Sequence, residues 1–131
     1  MSTDSLTLSE YFPVAPASLL ARWLDPAWHA RFTGGATAVI DALEGGEYSA
    51  WDGYIEGTTL TIAPDRIVQT WRTAEFDADD PPSRLDLHFA AEGAGTRLTL
   101  QHDGIPVGQG DMYREGWEDH YFVHMRDVLG G

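Results

Sequence analysis

Two histidines four residues apart, His120 and His124, are the first residues whose spacing could do chemistry. Positions i and i+4 of a helix share a face, as a metal clamp requires. The run His120-Tyr121-Phe122-Val123-His124 lacks the Glu beside the first His that a zinc-hydrolase motif carries. A third ligand would have to come from elsewhere, with Glu10 and His102 the candidates, so neither a metal nor a cofactor is expected. His120, Tyr121 and Glu10 are also the candidate proton donors and acceptors, provided they are buried together, because pKa tuning needs burial and a neighbour. Glu118 and Asp119 are expected to face water. No Ser-His-Asp order stands out, and no Gly-Lys-Ser/Thr follows Gly104, Gly108 and Gly110. No catalytic residue is assigned, and the balance leans away from an enzyme.

The aromatic residues carry a stronger signal, for recognition rather than reaction. Trp28, Tyr48, Tyr54, Trp71, Phe89, Tyr113, Trp117 and Tyr121 supply apolar area, and the Tyr and Trp members add a polar tip that needs a partner. With His120 as a polar handle, they are the candidate lining of a pocket for a small apolar or aromatic ligand. Trp117 and Tyr121 would form a helix wall, and Tyr48 and Trp71 a sheet wall. The competing reading is plain core packing, which accounts for most buried aromatics. On the pocket reading, Tyr121→Phe is expected to alter affinity with little loss of stability.

Those residues need elements to hold them. Leu6 to Phe12 alternates apolar and polar residues, which suits a first strand ending at Pro13. Pro16 opens a helix with Leu19, Leu20, Trp23 and Leu24 at helical spacing, and Asp25-Pro26 caps and opens a second short helix ended by Gly34-Gly35. Strands are expected over Ala36 to Leu43, Glu47 to Trp51, Tyr54 to Ile62 and Arg66 to Arg72. Two more carry the alternations Leu85-Leu87-Phe89 and Leu98-Leu100. Such alternation implies an antiparallel sheet with one covered and one wet face. Gly104-Ile105-Pro106 reads as the joint into a Pro-free stretch from about Gln109 to Leu129. There Tyr113, Trp117, Tyr121, Met125 and Val128 recur at three or four residues, as in an amphipathic helix roughly 30 Å long. Gly116 is expected to let that helix approach the sheet closely. Helices segregated from strands make the class α+β: six to seven strands curved around one long C-terminal helix, in a single domain over residues 1–131.

Composition bounds the partners. Eight Lys+Arg, all of them Arg, stand against 21 Asp+Glu, a net charge of −13 that repels phosphate backbones and anionic lipid heads. No nucleic acid and no membrane is therefore expected as a partner. The acid excess fits a salt-adapted host, and the lack of Lys fits equally an Arg-favouring, GC-rich genome. There is no Cys, which removes disulfides and thiol chemistry. MSTDSLTLSEYFP lacks the basic and apolar segments of a signal peptide, so a cytoplasmic location is expected.

Four segments together resemble a known family: Tyr48-Ser49-Ala50-Trp51-Asp52-Gly53, Arg66 to Arg72, Thr96 to Leu100 with Gly104-Ile105-Pro106, and Gly116-Trp117-Glu118-Asp119-His120-Tyr121-Phe122. The chain resembles the helix-grip fold of the START-like superfamily, and within it is similar to bacterial homologues of the activator of the ninety-kilodalton heat-shock chaperone's ATPase. It departs from that pattern at Val123-His124 and over the last five residues. The resemblance implies the fold and three functional readings: a small-molecule binding protein, a chaperone-cofactor or stress-response interaction protein, and a cyclase-like enzyme. A homodimer through exposed sheet surface is open to such a fold, with no self-complementary patch in the sequence pointing to it.

Overall fold

The structure is a computed structural model, and it describes residues 3–130. Seven strands form one antiparallel sheet: β1 (Thr3–Phe12), β2 (Val39–Ile40), β3 (Glu47–Ala50), β4 (Ile55–Ala63), β5 (Arg66–Thr73), β6 (Ser83–Glu92) and β7 (Gly95–Pro106). Their spatial order is β1-β7-β6-β5-β4-β3-β2. Between β1 and β2 lie α1 (Pro16–Leu24) and α2 (Pro26–Phe32), and after β7 comes the C-terminal helix. The class is α+β with a helix-grip architecture.

Alternation sets which face is covered. Leu85, Leu87 and Phe89 of β6 and Leu98 and Leu100 of β7 are buried on one face. Their neighbours on the other face are mostly polar or charged, with the Arg66 guanidinium on the Asp86 carboxylate at 2.6 Å. Register irregularities in β1 between Asp4 and Leu6, and in β4 between Thr59 and Thr61, bend these strands. The bend wraps the apolar face toward the helices. Asp25 ends α1 and caps α2, its Oδ1 accepting the Ala27 N–H at 2.9 Å with Pro26 in the first turn.

The C-terminal helix runs as α3 (Gly110–Gly116), a π-helical stretch (Trp117–Phe122) and α4 (Val123–Leu129). Its buried residues include Tyr113, Trp117, Tyr121, Met125 and Leu129, spaced by four throughout. In an ideal α-helix each step of four overshoots a full turn by about 40°, so such a stripe would drift off the sheet over four steps. The wider π turn takes up the drift, and it does so at the two residues, Trp117 and Tyr121, that stand in the middle of the stripe. Asp4 of β1 holds the helix start, its Oδ2 accepting N–H groups of Gly108 and Gly110 at 2.9 Å each. Gly130, with φ 77°, closes the end.

Four local expectations change. The strand expected over Ala36 to Leu43 pairs only at Val39 and Ile40, because the chain folds into a turn: the Leu43 N–H donates to the Asp41 carbonyl, and a Cβ on Gly46 would lie 2.2 Å from that same oxygen. Gly104 (φ 72°) lies inside β7, so the joint into the helix falls instead at Val107 to Gln109. At the helix end Leu129 is the buried residue, with Val128 only partly covered. A Cβ on Gly116 would meet nothing closer than the His120 ring at 3.8 Å, so this glycine does not serve a close approach to the sheet. No helix among the described residues is long and apolar enough to cross a membrane.

Candidate functional site

A cavity of about 290 Å³ opens between the C-terminal helix and the β3–β4 end of the sheet. Trp71 of β5 and Ile55 of β4 form its sheet side, and Tyr113, Trp117 and Tyr121 its helix side. Trp51 and Tyr54, from the turn joining β3 to β4, stand at the edge with Met112, Glu115, Gly116, Asp119 and His120. Trp71 and Trp117 lie 5.7 Å apart, and Trp117 and Tyr121 4.7 Å apart. The walls are therefore ring against ring.

The buried ends of these rings are tied down. The Trp117 indole N–H donates to His102 Nδ1 at 3.2 Å, which makes that nitrogen the acceptor and leaves the proton of the neutral ring on Nε2. Nε2 then donates to Ser83 Oγ at 2.8 Å, and the Ser83 hydroxyl donates to the Trp71 carbonyl at 2.5 Å. A Ser-His contact is present, but its protons run the wrong way for a nucleophile: the serine proton faces a carbonyl, and the histidine is a donor to it. Burial lowers the His102 pKa to about 3.

The second anchor follows the same logic. His29 Nδ1 faces the Trp23 carbonyl at 2.8 Å and so carries the proton, and Nε2 accepts from the Tyr121 hydroxyl at 2.7 Å. Burial lowers the His29 pKa to about 4, against the opposing effect of that backbone hydrogen bond. Burial likewise drives the Tyr121 pKa far up, so both partners stay neutral across the physiological range. Tyr113 donates to Gln109 Oε1 at 2.7 Å and meets Thr73 Oγ1 at 2.7 Å, and burial pushes its pKa up to about 12.

Trp51 has φ 52° and Asp52 φ 57°, a left-handed conformation costing roughly 1–2 kcal/mol for a residue with a side chain. Asp52 Oδ1 accepts the Thr37 N–H at 2.8 Å, and Gly53 (φ 87°) completes the turn. This geometry aims the Trp51 ring at the mouth, where it lies on His120 at 4.5 Å and meets Tyr54 edge-on at 5.0 Å.

Six of the nine residues singled out from the sequence line this cavity: Tyr54, Trp71, Tyr113, Trp117, His120 and Tyr121. Three stand elsewhere. Trp28 lies on the outer side of α2 between the Arg22 and Arg31 guanidinium groups, 4.2 and 4.3 Å from its ring. Tyr48 packs across Gly57, opposite it in the β3–β4 register, and donates to the Thr70 carbonyl at 2.6 Å. Phe89 is core and lines no part of the cavity, standing on β6 six residues beyond Ser83, the register partner of Trp71. The two helix histidines diverge: His120 covers Trp51, whereas His124 lies over Gly34. The other two metal candidates are committed, Glu10 to Arg126 at 2.8 Å and His102 to Ser83 and Trp117. Among the described residues no three His, Asp or Glu side chains converge on a metal position. Glu10 lines no part of the cavity, so the trio Glu10, His120 and Tyr121 is not assembled.

Sequence reasoning missed Trp51, Ile55, Met112, Glu115, Gly116 and Asp119 at the cavity, and His29 behind it. A signal for part of this set was present. Met112, Glu115, Gly116, Asp119 and His120 recur at i, i+3, i+4, i+7 and i+8, a second helical stripe beside the buried one. Trp51 and His29 carry no such signal, since a left-handed Trp and a buried His depend on contacts distant in sequence.

The family model described as Activator of Hsp90 ATPase homolog 1-like protein matches residues 13–130. The human Activator of 90 kDa heat shock protein ATPase homolog 1 is 27% identical over 129 residues, covering 98% of this chain and 38% of the human protein. The chain thus spans little more than a third of that relative's length. The crystal structure of an HSP90 activator from Plasmodium falciparum superposes with a TM-score of 0.87 at 26% identity, covering 96% of both chains. A Chromobacterium violaceum protein shares the fold at a TM-score of 0.78 and 22% identity, over 97% of each chain. On the match across 13–130 and the shared helix-grip architecture, this chain belongs to the START-like family of Activator of Hsp90 ATPase homolog 1-like proteins.

Proposed function

We propose that this chain is a binding protein that holds a small apolar or aromatic molecule between the C-terminal helix and the sheet. The observation that carries the reading is the cavity itself: about 290 Å³, walled by Trp71, Tyr113, Trp117 and Tyr121 and edged by Trp51 and Tyr54. A cavity of about 150 Å³ suffices for benzene, so this one suits one or two fused rings. The wiring of Ser83, His102, His29 and Tyr121 supports binding over catalysis, because each hydrogen bond fixes a wall and none leaves an activated nucleophile or base.

The test is a thermal-shift and Trp-fluorescence screen of small aromatics. A ligand at a hundredfold excess over Kd adds about 2.7 kcal/mol to stability. Saturable stabilisation with altered Trp emission supports the reading. Failure of every compound to shift either signal rejects it.

The family membership favours a second reading, a chaperone cofactor. The relatives named as activators are much longer, so their activity reaches this chain only as a proposal. Adding the chain to a ninety-kilodalton heat-shock chaperone and measuring ATP hydrolysis tests it. Stimulation would support the cofactor role, and neither stimulation nor binding would remove it.

A further inference from the structure

The charge around the cavity has one sign. Glu115 and Asp119 stand at the mouth, one helical turn apart and exposed, and no ion pair among the described residues includes either. No arginine lines the cavity, and the sequence holds no lysine. The arginines are engaged or placed elsewhere. Arg66, Arg97 and Arg126 are paired with carboxylates, and Arg72 donates to the carbonyls of Asp77 and Asp80. Arg22 and Arg31 flank Trp28, Arg84 is exposed on β6, and Arg114 belongs to a separate depression beside Asp4 and Gly108.

The interior complements that rim. The Tyr121 hydroxyl points back to His29, the Tyr113 hydroxyl to Gln109 and the Trp117 N–H to His102, so these rings turn carbon faces and edges toward the space. An aromatic face is the negative pole of the ring quadrupole and attracts a cation, most strongly for Trp and least for Phe. The wall has two Trp and two Tyr at its centre and no Phe. A carboxylate entering here would meet two like charges and no fixed cation, a costly pairing at a partly desolvated site. A neutral ring would gain contact alone.

We propose that the occupant is an organic cation, a one- or two-ring molecule bearing an ammonium group. Its ring lies against Trp71 and Trp117, and its charged group faces the mouth, where Glu115 and Asp119 neutralise it. This assignment rests on the binding reading above and adds the sign of the ligand's charge.

Three probes of matched size separate the two claims: trimethylanilinium, its uncharged isostere tert-butylbenzene, and benzoate. Each is titrated against the whole chain by Trp fluorescence, with thermal shift alongside, at one ionic strength. The expected result is a Kd for trimethylanilinium at least tenfold below that for tert-butylbenzene, with no binding of benzoate. The cation's affinity alone should weaken as salt is raised. The double variant Glu115→Gln, Asp119→Asn changes two exposed side chains and should leave the melting temperature in place. It should weaken the affinity for trimethylanilinium severalfold, leaving only the preference that the Trp and Tyr faces give a cation, while the affinity for tert-butylbenzene stays unchanged. Binding of tert-butylbenzene or benzoate as tight as that of the cation overturns the charge assignment and leaves the binding reading standing. Binding of none of the three overturns both.

Discussion

Tyr121 works on two sides at once. Its ring lines the cavity and stacks on Trp23 at 5.4 Å, while its hydroxyl donates to His29. The hydroxyl is thus part of the core rather than of the ligand wall, which reverses the effect expected from sequence for Tyr121→Phe. Removing it leaves His29 Nε2 a buried acceptor without a donor, at a cost of about 1–3 kcal/mol. Affinity for a ligand meeting the ring face should hardly move. Urea unfolding of the variant beside a titration with trimethylanilinium would show this, and lost affinity at unchanged stability would contradict it. Trp117→Ala should be harsher. It empties a site of 2% exposure and strips His102 of its donor, so about 3–5 kcal/mol is expected, read as a lowered urea midpoint. A midpoint within a tenth of wild type would mean that Trp117 is not the keystone its contacts make it.

At the scale of elements, the C-terminal helix is both the lid of the core and one wall of the site. The π stretch accommodates the four-residue spacing of Tyr113, Trp117, Tyr121, Met125 and Leu129, and it contains Trp117 and Tyr121. Gly116 precedes it with helical geometry, φ −63°, and a Cβ there would make only an ordinary contact with the His120 ring at 3.8 Å. Nothing in the packing requires glycine there. Gly116→Ala is therefore expected to stabilise the chain by about 0.4–1 kcal/mol, mainly by restricting the unfolded state. Because Gly116 lines the cavity, the added methyl should also lower affinity for a ligand filling the mouth. A calorimetric melt and one titration decide it, and a destabilised variant would show that the helix cannot spare the glycine. The same reasoning explains the missed residues on this helix. The stripe through Met112, Glu115, Asp119 and His120 is helical in spacing but mixed in character, so hydrophobic periodicity alone passes over it.

For the whole molecule, the two buried histidines make acid stability a consequence of packing. The pKa of each lies below its ordinary value of 6.5, at about 4 for His29 and about 3 for His102. Below pH 6.5 the unfolded chain binds protons that the folded chain refuses, so stability falls as pH falls. The loss runs from about pH 6.5 to pH 4 for His29 and on to about pH 3 for His102, with a limiting slope of about 1.4 kcal/mol per pH unit for each. Urea unfolding at pH steps from 8 to 4 measures the slope. In His102→Gln the slope should be about halved, and an unchanged slope would place the acid sensitivity in other groups.

Local patterns were enough for the frame. Pro16 and Asp25-Pro26 open the short helices, alternating Leu and Phe mark β6 and β7, and aromatic spacing marks the C-terminal helix, because each signal acts within a few residues of the chain. The site was legible only in part, through residues of types that favour cavities. Tertiary structure alone decided that Tyr48 is spent on Gly57 and Thr70 while Trp51, in the left-handed turn just after β3, faces the mouth. It alone joined His29 to Tyr121 across 92 positions and Ser83 to His102 with the proton order that disarms them. Amino-acid type sets what a side chain can do over the length of a turn or strand. Which atom receives its hydrogen bond, and whether a ring meets core or cavity, depends on segments brought together only when the sheet closes on the helix.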